Sequence, residues 1–423
     1  MQKRKKIIIV GAGFAGLSAA YELSQLKGID LHIFEQSSEV GGRAHTEKIK
    51  GHPVDFGGFI IYPWYKRFNE LIKKLKCKGE LKKIPVSTLY YDIEGTGMLK
   101  DELSLKLPLN EIIKLFLKTF PAMLIEDDPS RPHLHSFNDL SVKAYLKTLG
   151  LKDKEDFYIN IFDTISQGYC YAPVDEYKMA FAAGMMHQNI LHGNVDSAFY
   201  FPSGTQVFAK KLAKKIKSNG GVFHFDTSFK KVSGNKITTN KGVFLADAII
   251  FAHTPAKVKY THFITATVEF EKAILVNHDE NWGACFYRDN PKSNLSILSS
   301  INLKKLYSHM DCHINVNIKI SNKKAATQNE AKLFKAIRSQ LEDRFPGANP
   351  LKIIKMVNWK RAMPIADEKF VDELLKKQGR KGHYFAGDFT GCPSMETAMM
   401  SGKHAADRLM ADQIQQHVLF NKQ

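Results

Sequence analysis

The chain opens on an unbroken apolar run, Ile7-Ile8-Ile9-Val10, and then changes period. A run without alternation predicts a parallel strand buried on both faces. Leu17, Ala20, Tyr21, Leu23 and Leu26 follow at spacings near three to four, which predicts a helix. Leu31-His32-Ile33-Phe34 predicts a second strand. Helical patterns then dominate from about Trp64 to Leu191, apart from an extended piece near Ser87–Ile93. Strand-like segments return at Val222–Phe225, Lys230–Val232, Lys236–Thr239 and Ala248–Ala252. A mixed stretch follows, with strands in "WGACFYRDN", "LSILSSIN" and "HINVNIKIS" and a helix over about Gln328–Phe345. The end reads as strand then helix, "HYFAGDF" and "SMETAMMSGKHAADRLM".

Chemistry enters at the first change of period. Gly11, Gly13 and Gly16 fit G-x-G-x-x-G directly after the first strand. The first allows a tight turn, the second lets backbone approach a pyrophosphate, and the third lets helix and strand pack closely. Glu35, followed by Gln36, ends the second strand about 20 residues on, where a ribose diol needs an acid. A secretory signal peptide would explain Lys3, Arg4, Lys5 and Lys6 and the small residues Ala19-Ala20. It would not predict a second strand closed by an acid.

A glycine turn and an acid suit NAD and FAD equally. "EQSSEVGGRAHT" adds Gly41, Gly42 and Arg43, whose guanidinium can meet a pyrophosphate oxygen or a flavin with a charge-assisted bond. "GHPVDFGGFIIYP" adds Asp55, Gly57 and Gly58, again a turn where backbone passes close to something. When flavin takes a hydride, negative charge develops over N1 and O2, and a helix N-terminus can stabilise it. The last helix begins near Ser394–Met395, after a Gly-Cys-Pro turn.

These motifs, in this order, resemble the flavin amine oxidase superfamily, which includes monoamine and polyamine oxidases, protoporphyrinogen oxidases and phytoene desaturases. The resemblance is carried by "VGAGFAGLSAA", "FEQSSEVGGRAHT", "YFPSGTQVFAKKLAKKI" and "HYFAGDFTGCPSMETAMMSGKHAADRL". It implies an α/β fold: a Rossmann-like FAD-binding domain of GR2 type carrying an inserted mixed α+β substrate domain. The FAD domain would take residues 1–63, 200–258 and 366–423, and the substrate domain 64–199 and 259–365. The cofactor implied is non-covalent FAD, since Cys392 lies inside the last motif whereas the family's flavin-attaching cysteine lies upstream of it. The residues implied to hold it are Gly11, Gly13, Phe14, Ala15, Gly16, Glu35, Gln36, Gly42, Arg43, Gly57, Gly58, Val232, Gly387, Asp388, Met395, Glu396 and Thr397. Val232 would reach the adenine, Asp388 the ribityl or pyrophosphate region, and the backbone at Met395–Thr397 the flavin pyrimidine.

The resemblance also bears on the substrate. Amine oxidases present two aromatic rings before the flavin, but the corresponding positions here are Ser394 and the Ile365-Ala366 pair after Pro364. "SMETAMMSGK" looks instead like the phytoene and carotene desaturases. The expected function is therefore dehydrogenation of a hydrophobic substrate, of the isoprenoid, polyene or tetrapyrrole class, by hydride transfer to flavin N5. A flavin-containing amine or amino-acid oxidase is one alternative. A non-enzymatic prenyl-lipid carrier of the Rab escort type is another, and the intact glycines, Glu35, Arg43 and Asp388 speak against it. No protein catalyst is assigned, because flavin carries the chemistry. Pocket candidates are Trp359 and, from the helical stretch, Phe162, Gln167, Tyr169, Tyr171, Met185, Met186 and Phe199; core packing is the plainer role for each of the latter.

Composition narrows the setting. With 44% apolar and 25% charged residues this is ordinary globular usage, and no apolar run is long enough to suggest a membrane span. Five scattered cysteines have no metal-ligand spacing, so no metal is expected and a reduced, cytoplasmic setting is. Lys and Arg number 61 against 43 Asp and Glu, a net charge of +18. No nucleic-acid reading motif accompanies that charge. Lys73, Lys74, Lys76, Lys78, Lys82 and Lys83 cluster near the apolar helical stretch Leu109–Leu124, a pattern for an anionic membrane surface; a Lys-rich solvated face is the plain alternative.

Overall fold

Ile7, Ile8 and Ile9 lose all contact with water. They belong to β1 (Lys5–Val10), the middle strand of five, and apolar side chains cover both of its faces. The computed structural model describes residues 4–93, 98–100, 140–150, 155–170, 172–179, 182, 197–290, 292–321, 329–365 and 368–420. The stretch 109–124, read above as an apolar helix, lies outside them, as do Tyr171, Met185, Met186 and the side chain of Tyr169.

Around β1 stand α1 (Phe14–Leu23), β2 (Ile29–Phe34), α2 (Gln206–Ser218), β3 (Val222–His224), β4 (Ala248–Phe251), β5 (His383–Phe385) and α3 (Met395–Phe420). The strand order is β5-β4-β1-β2-β3, all parallel. Three well-separated stretches of chain thus build one doubly wound layer. α1 and α3 cross closely over small residues. A Cβ on Gly402 would lie 2.1 Å from the Ala15 carbonyl oxygen, and one on Gly16 would lie 1.9 Å from that of Gly11.

The helix Lys66–Lys74 also belongs to this layer by packing, because Phe68, Leu71 and Ile72 enter the same apolar core. Its Arg67 is buried and pairs with Glu22 of α1 and Glu70. The core therefore runs past residue 63.

A second sheet has seven strands in the order Pro350–Trp359, Phe263–Phe270, His313–Ile320, Leu295–Asn302, Trp282–Tyr287, Thr88–Asp92 and Leu99–Lys100. Strict alternation gives it two unlike faces. Ile264, Ala266, Val268, Ile314, Val316 and Ile318 pack against Leu333, Ile337 and Leu341 of the helix Glu330–Arg344. Burial of each large aliphatic side chain there is worth roughly 1.5–3 kcal/mol. The opposite face carries Thr265, Thr267, Asn315 and Asn317. The helix Glu155–Cys170 lies against that side, with Gly168 so close that an added Cβ would fall 2.2 Å from the Phe286 ring.

Candidate active site

The first glycine turn is shaped by close approach. Gly11 has φ +106°, and a Cβ there would meet the Ala252 carbonyl oxygen at 2.6 Å. Gly42 has φ +58°, with Gly13 Cα only 3.2 Å from where its Cβ would stand. The two glycine loops are held together by Gly41 N–H donating to the Ala12 carbonyl at 3.0 Å. This leaves a cradle of bare backbone. Glu35 closes its end: the carboxylate accepts from Ala12 N–H at 2.7 Å and from Ser37 N–H at 2.9 Å. A carboxylate pinned this way keeps lone pairs for two more donors, which is what a ribose diol offers.

Arg43 leaves the second loop and donates to both oxygens of Asp388, at 2.7 and 2.6 Å, and also to the Ala362 carbonyl. Burial works against the Arg43 charge, but Asp388 outweighs it and holds the guanidinium pKa up. Tyr260 neighbours both charges, and its hydroxyl, buried without a hydrogen-bond partner, is pushed up in pKa by burial and by Asp388.

The first turn of α3 faces the same space through Pro393, Ser394, Met395 and Ala398. Ser394 caps the helix by accepting from Thr397 N–H at 3.0 Å. At Glu396 and Thr397, whose backbone the sequence reading set beneath the flavin, the side chains are engaged within the protein. Glu396 is 1% exposed and accepts from Arg67 N–H at 2.6 Å and Phe68 N–H at 2.9 Å, so it caps the helix Lys66–Lys74. Thr397 donates to the Cys392 carbonyl.

One cavity of about 1540 Å³ joins these parts. It exceeds the roughly 300–1,000 Å³ of a usual small-molecule pocket. Gly11, Gly13, Phe14, Ala15, Glu35, Gln36, Gly42, Arg43, Gly57, Gly58, Gly387, Asp388 and Met395 line it. Gly16 sits behind the turn. Val232 packs against the core around Ile8, Phe34 and Phe251, and Phe229 and Lys230 form the wall in its stead. Beyond the cradle the cavity opens over the second sheet. Trp359 and Phe162 line it there, and Trp359 Nε1 donates to the Phe56 carbonyl at 3.2 Å. Gln167 instead donates to Asp163 at 2.7 Å, and Phe199 packs into the first core.

The chamber floor was not anticipated. Thr265 donates to Asn317 at 2.9 Å, and Asn317 donates on to Ser299 at 3.0 Å. In the next row Thr267 donates to Asn315 at 2.6 Å, and Asn315 donates to the Asp55 carbonyl at 3.0 Å. Polar residues recurring every second position in "HINVNIKI" were the available signal. Across the sheet the floor turns aromatic, with Tyr91 stacked on Phe286 at 5.2 Å between ring centroids. The walls add Tyr62, Trp64 and Tyr65, whose rings pack on one another. Asp55, buried under Thr46 and Thr205, accepts hydrogen bonds from both, yet burial pushes its pKa up to about 6.

Comparison with known proteins places the chain. The sequence profile of the family described as flavin containing amine oxidoreductase matches residues 14–281, well over half of the chain. The chain belongs to the flavin containing amine oxidoreductase family. The glycine cradle, Glu35 and the Arg43–Asp388 pair suit that family's FAD, which is the cofactor here. The polyenoic fatty acid isomerase of Ptilota filicina is 23% identical over 254 residues, 54% of this chain and 50% of that one. The 1-hydroxycarotenoid 3,4-desaturase of a Flavobacterium is 24% identical over 275 residues, 58% of this chain and 56% of that one. The chain thus spans about half the length of these curated relatives. The crystal structure of a CLA-producing fatty acid isomerase from P. acnes shares the fold, with TM-score 0.73 at 16% identity, covering 96% of this chain and 99% of that one. No helix among the described residues is long and apolar enough to cross a membrane.

Proposed function

We propose that this family member uses FAD to dehydrogenate a long, largely apolar, unsaturated molecule lying in the chamber over the second sheet. The continuity of the cavity carries this reading. One uninterrupted space runs from the Glu35 cradle past Arg43 and Asp388 to walls built from Phe162, Phe286, Tyr91, Leu89, Ile165 and Met179. The two relatives named above, aligned over more than half of this chain, are by their names a fatty acid isomerase and a carotenoid desaturase. Both names speak of long unsaturated chains, and the likeness supports an isoprenoid or polyene substrate over a tetrapyrrole.

When bound, FAD supplies the acceptor for a hydride. The protein's own part is placement. Arg43, held by Asp388, presents a fixed positive charge beside the cradle. The first turn of α3 sets Ser394 and Met395 at the cavity wall. Apolar walls strip water from the substrate, at about 25 cal/mol per Å² buried. The Thr265–Asn317–Ser299 chain gives the floor one polar strip for a hydroxyl, carbonyl or carboxylate on an otherwise apolar substrate.

Anaerobic titration of the yellow protein separates the readings. Long polyenes should bleach the flavin band, and small primary amines and polyamines should leave it slowly changed or unchanged. Rapid bleaching by a simple amine at low concentration would instead establish the amine oxidase alternative. Tyr62, Trp64, Tyr65 and Trp359 give that second reading a physical basis, since each ring can supply about 0.5–2 kcal/mol to a cationic amine.

A further inference from the structure

One exposed piece of chain contributes to the cavity wall. Ile84, Pro85 and Ser87 line it, while Val86 between them is 75% exposed, the most exposed large hydrophobic residue among the described residues. Lys82 and Lys83 stand immediately before this segment with their side chains in water. Just upstream, Lys73, Lys76 and Lys78 are also exposed, and none of these five pairs with an acid among the described residues. Lys305 also lines the cavity and donates to the neutral Asn281 at 2.7 Å; the Asn281 carbonyl in turn accepts from Thr88 N–H. An exposed aliphatic side chain costs solvation in water, and a row of unpaired cations beside it attracts phosphate-bearing surfaces. Both features fall on a segment that lines a chamber with apolar walls.

We propose that the segment Lys82–Ser87 is a membrane-docking edge. Pro85 and Val86 enter the headgroup layer of an anionic leaflet, Lys82 and Lys83 bind its phosphates, and the stretch of cavity wall that the segment forms then lies against lipid. The docking stands on the surface alone; that it delivers substrate rests on the function proposed above.

The test uses the flavin-loaded full chain and vesicles of phosphatidylcholine with or without phosphatidylglycerol. The protein should sediment with the anionic vesicles, less so as salt rises, and scarcely with the neutral ones. The double variant Lys82→Gln, Lys83→Gln should lose roughly 25-fold in partitioning, from about one tenfold step per 1.4 kcal/mol at ~1 kcal/mol per lysine. Lys332→Gln with Lys335→Gln, exposed on the helix Glu330–Arg344 behind the sheet, should lose much less. A Val86→Trp variant should show blue-shifted emission, quenched by brominated lipid, only with anionic vesicles. Equal losses in the two double variants, or a tryptophan that stays solvent-exposed on bound vesicles, would overturn the assignment. These readouts do not depend on which substrate reduces the flavin.

Discussion

Arg43 grips Asp388 with two hydrogen bonds of 2.7 and 2.6 Å across 345 positions of sequence. A third bond, to the Ala362 carbonyl, joins the segment that leads out of the second sheet. One guanidinium therefore fixes the second glycine loop, the final motif and the segment after the strand Pro350–Trp359 together. A planar fork does this and an ammonium does not. Arg43→Lys should bind FAD roughly 10- to 100-fold more weakly, at about 1.5–3 kcal/mol for the lost charged bond. Asp388→Ala should be worse, because it strands the guanidinium. Flavin content after gel filtration and the dissociation constant read by fluorescence check both. A lysine variant with unchanged affinity would show that the fork is dispensable.

Glu35 has two duties that affinity alone would not separate. It holds the Ala12 and Ser37 amides, and we propose that it also takes the ribose diol. Glu35→Ala should weaken FAD binding by about 2 kcal/mol and should also lower the melting temperature of the apoprotein, since buried N–H groups lose an acceptor. Glu35→Gln keeps an acceptor oxygen and should recover most of the apoprotein stability while still binding FAD weakly. Differential scanning fluorimetry with and without FAD resolves the two effects. Equal apoprotein melting for all three proteins would refute the structural half.

Glu396 should behave as a cap. Its carboxylate sits at the positive end of the helix Lys66–Lys74, receiving two amides. Glu396→Gln should cost about 1–2 kcal/mol in unfolding free energy and leave the flavin absorption spectrum in place. A shifted spectrum with unaltered stability would put the side chain at the flavin after all.

Asp55 should leave a signature in the pH dependence of stability. Its ordinary value is 3.8, and burial raises it to about 6 in the folded chain. The folded protein thus holds a proton that the unfolded chain releases earlier, so stability falls as pH rises from 3.8 to about 6 and levels off above. At ~1.4 kcal/mol per pH unit the fall is about 3 kcal/mol. Asp55→Asn should flatten that limb of the curve while keeping the acceptor oxygen for Thr205. An unaltered limb in denaturant titrations would mean another group is responsible.

The sequence disclosed elements that are locally rich in apolar residues and bounded by turns. The strand at Leu295–Asn302 matches its sequence reading end to end, and the helix Glu330–Arg344 falls within two residues of it. Phe263–Phe270 and Pro350–Trp359, two of the long strands, escaped. In Phe263–Phe270 the apolar residues do alternate with Thr265, Thr267 and Glu269, a signal that was passed over, and its pairing with Pro350–Trp359 slips register twice. The turn at Gly11 and the closing position of Glu35 were readable because the glycine spacing and the strand end that shape the cradle are local in sequence. The polar floor was not, because Thr265, Asn317 and Ser299 meet only when three strands are laid side by side. The capping role of the Glu396 side chain was not readable, because the amides it receives lie over 300 positions away.

The crossing of α1 and α3 has a consequence in time. The strand Lys5–Val10 finds β2 soon after it is made, but its other partner β4 follows some 240 residues later, and β5, which pairs with β4, some 130 residues after that. Nothing can seal the groove over Ala15 until Gly402 has been made. The nascent chain must carry one edge of this apolar strand unpaired until β4 has been made, a state that invites aggregation and chaperone capture. Contacts this distant in sequence also form slowly once the chain is complete. Loading of FAD is therefore a late, post-translational event, and overexpression should outrun it before it outruns translation.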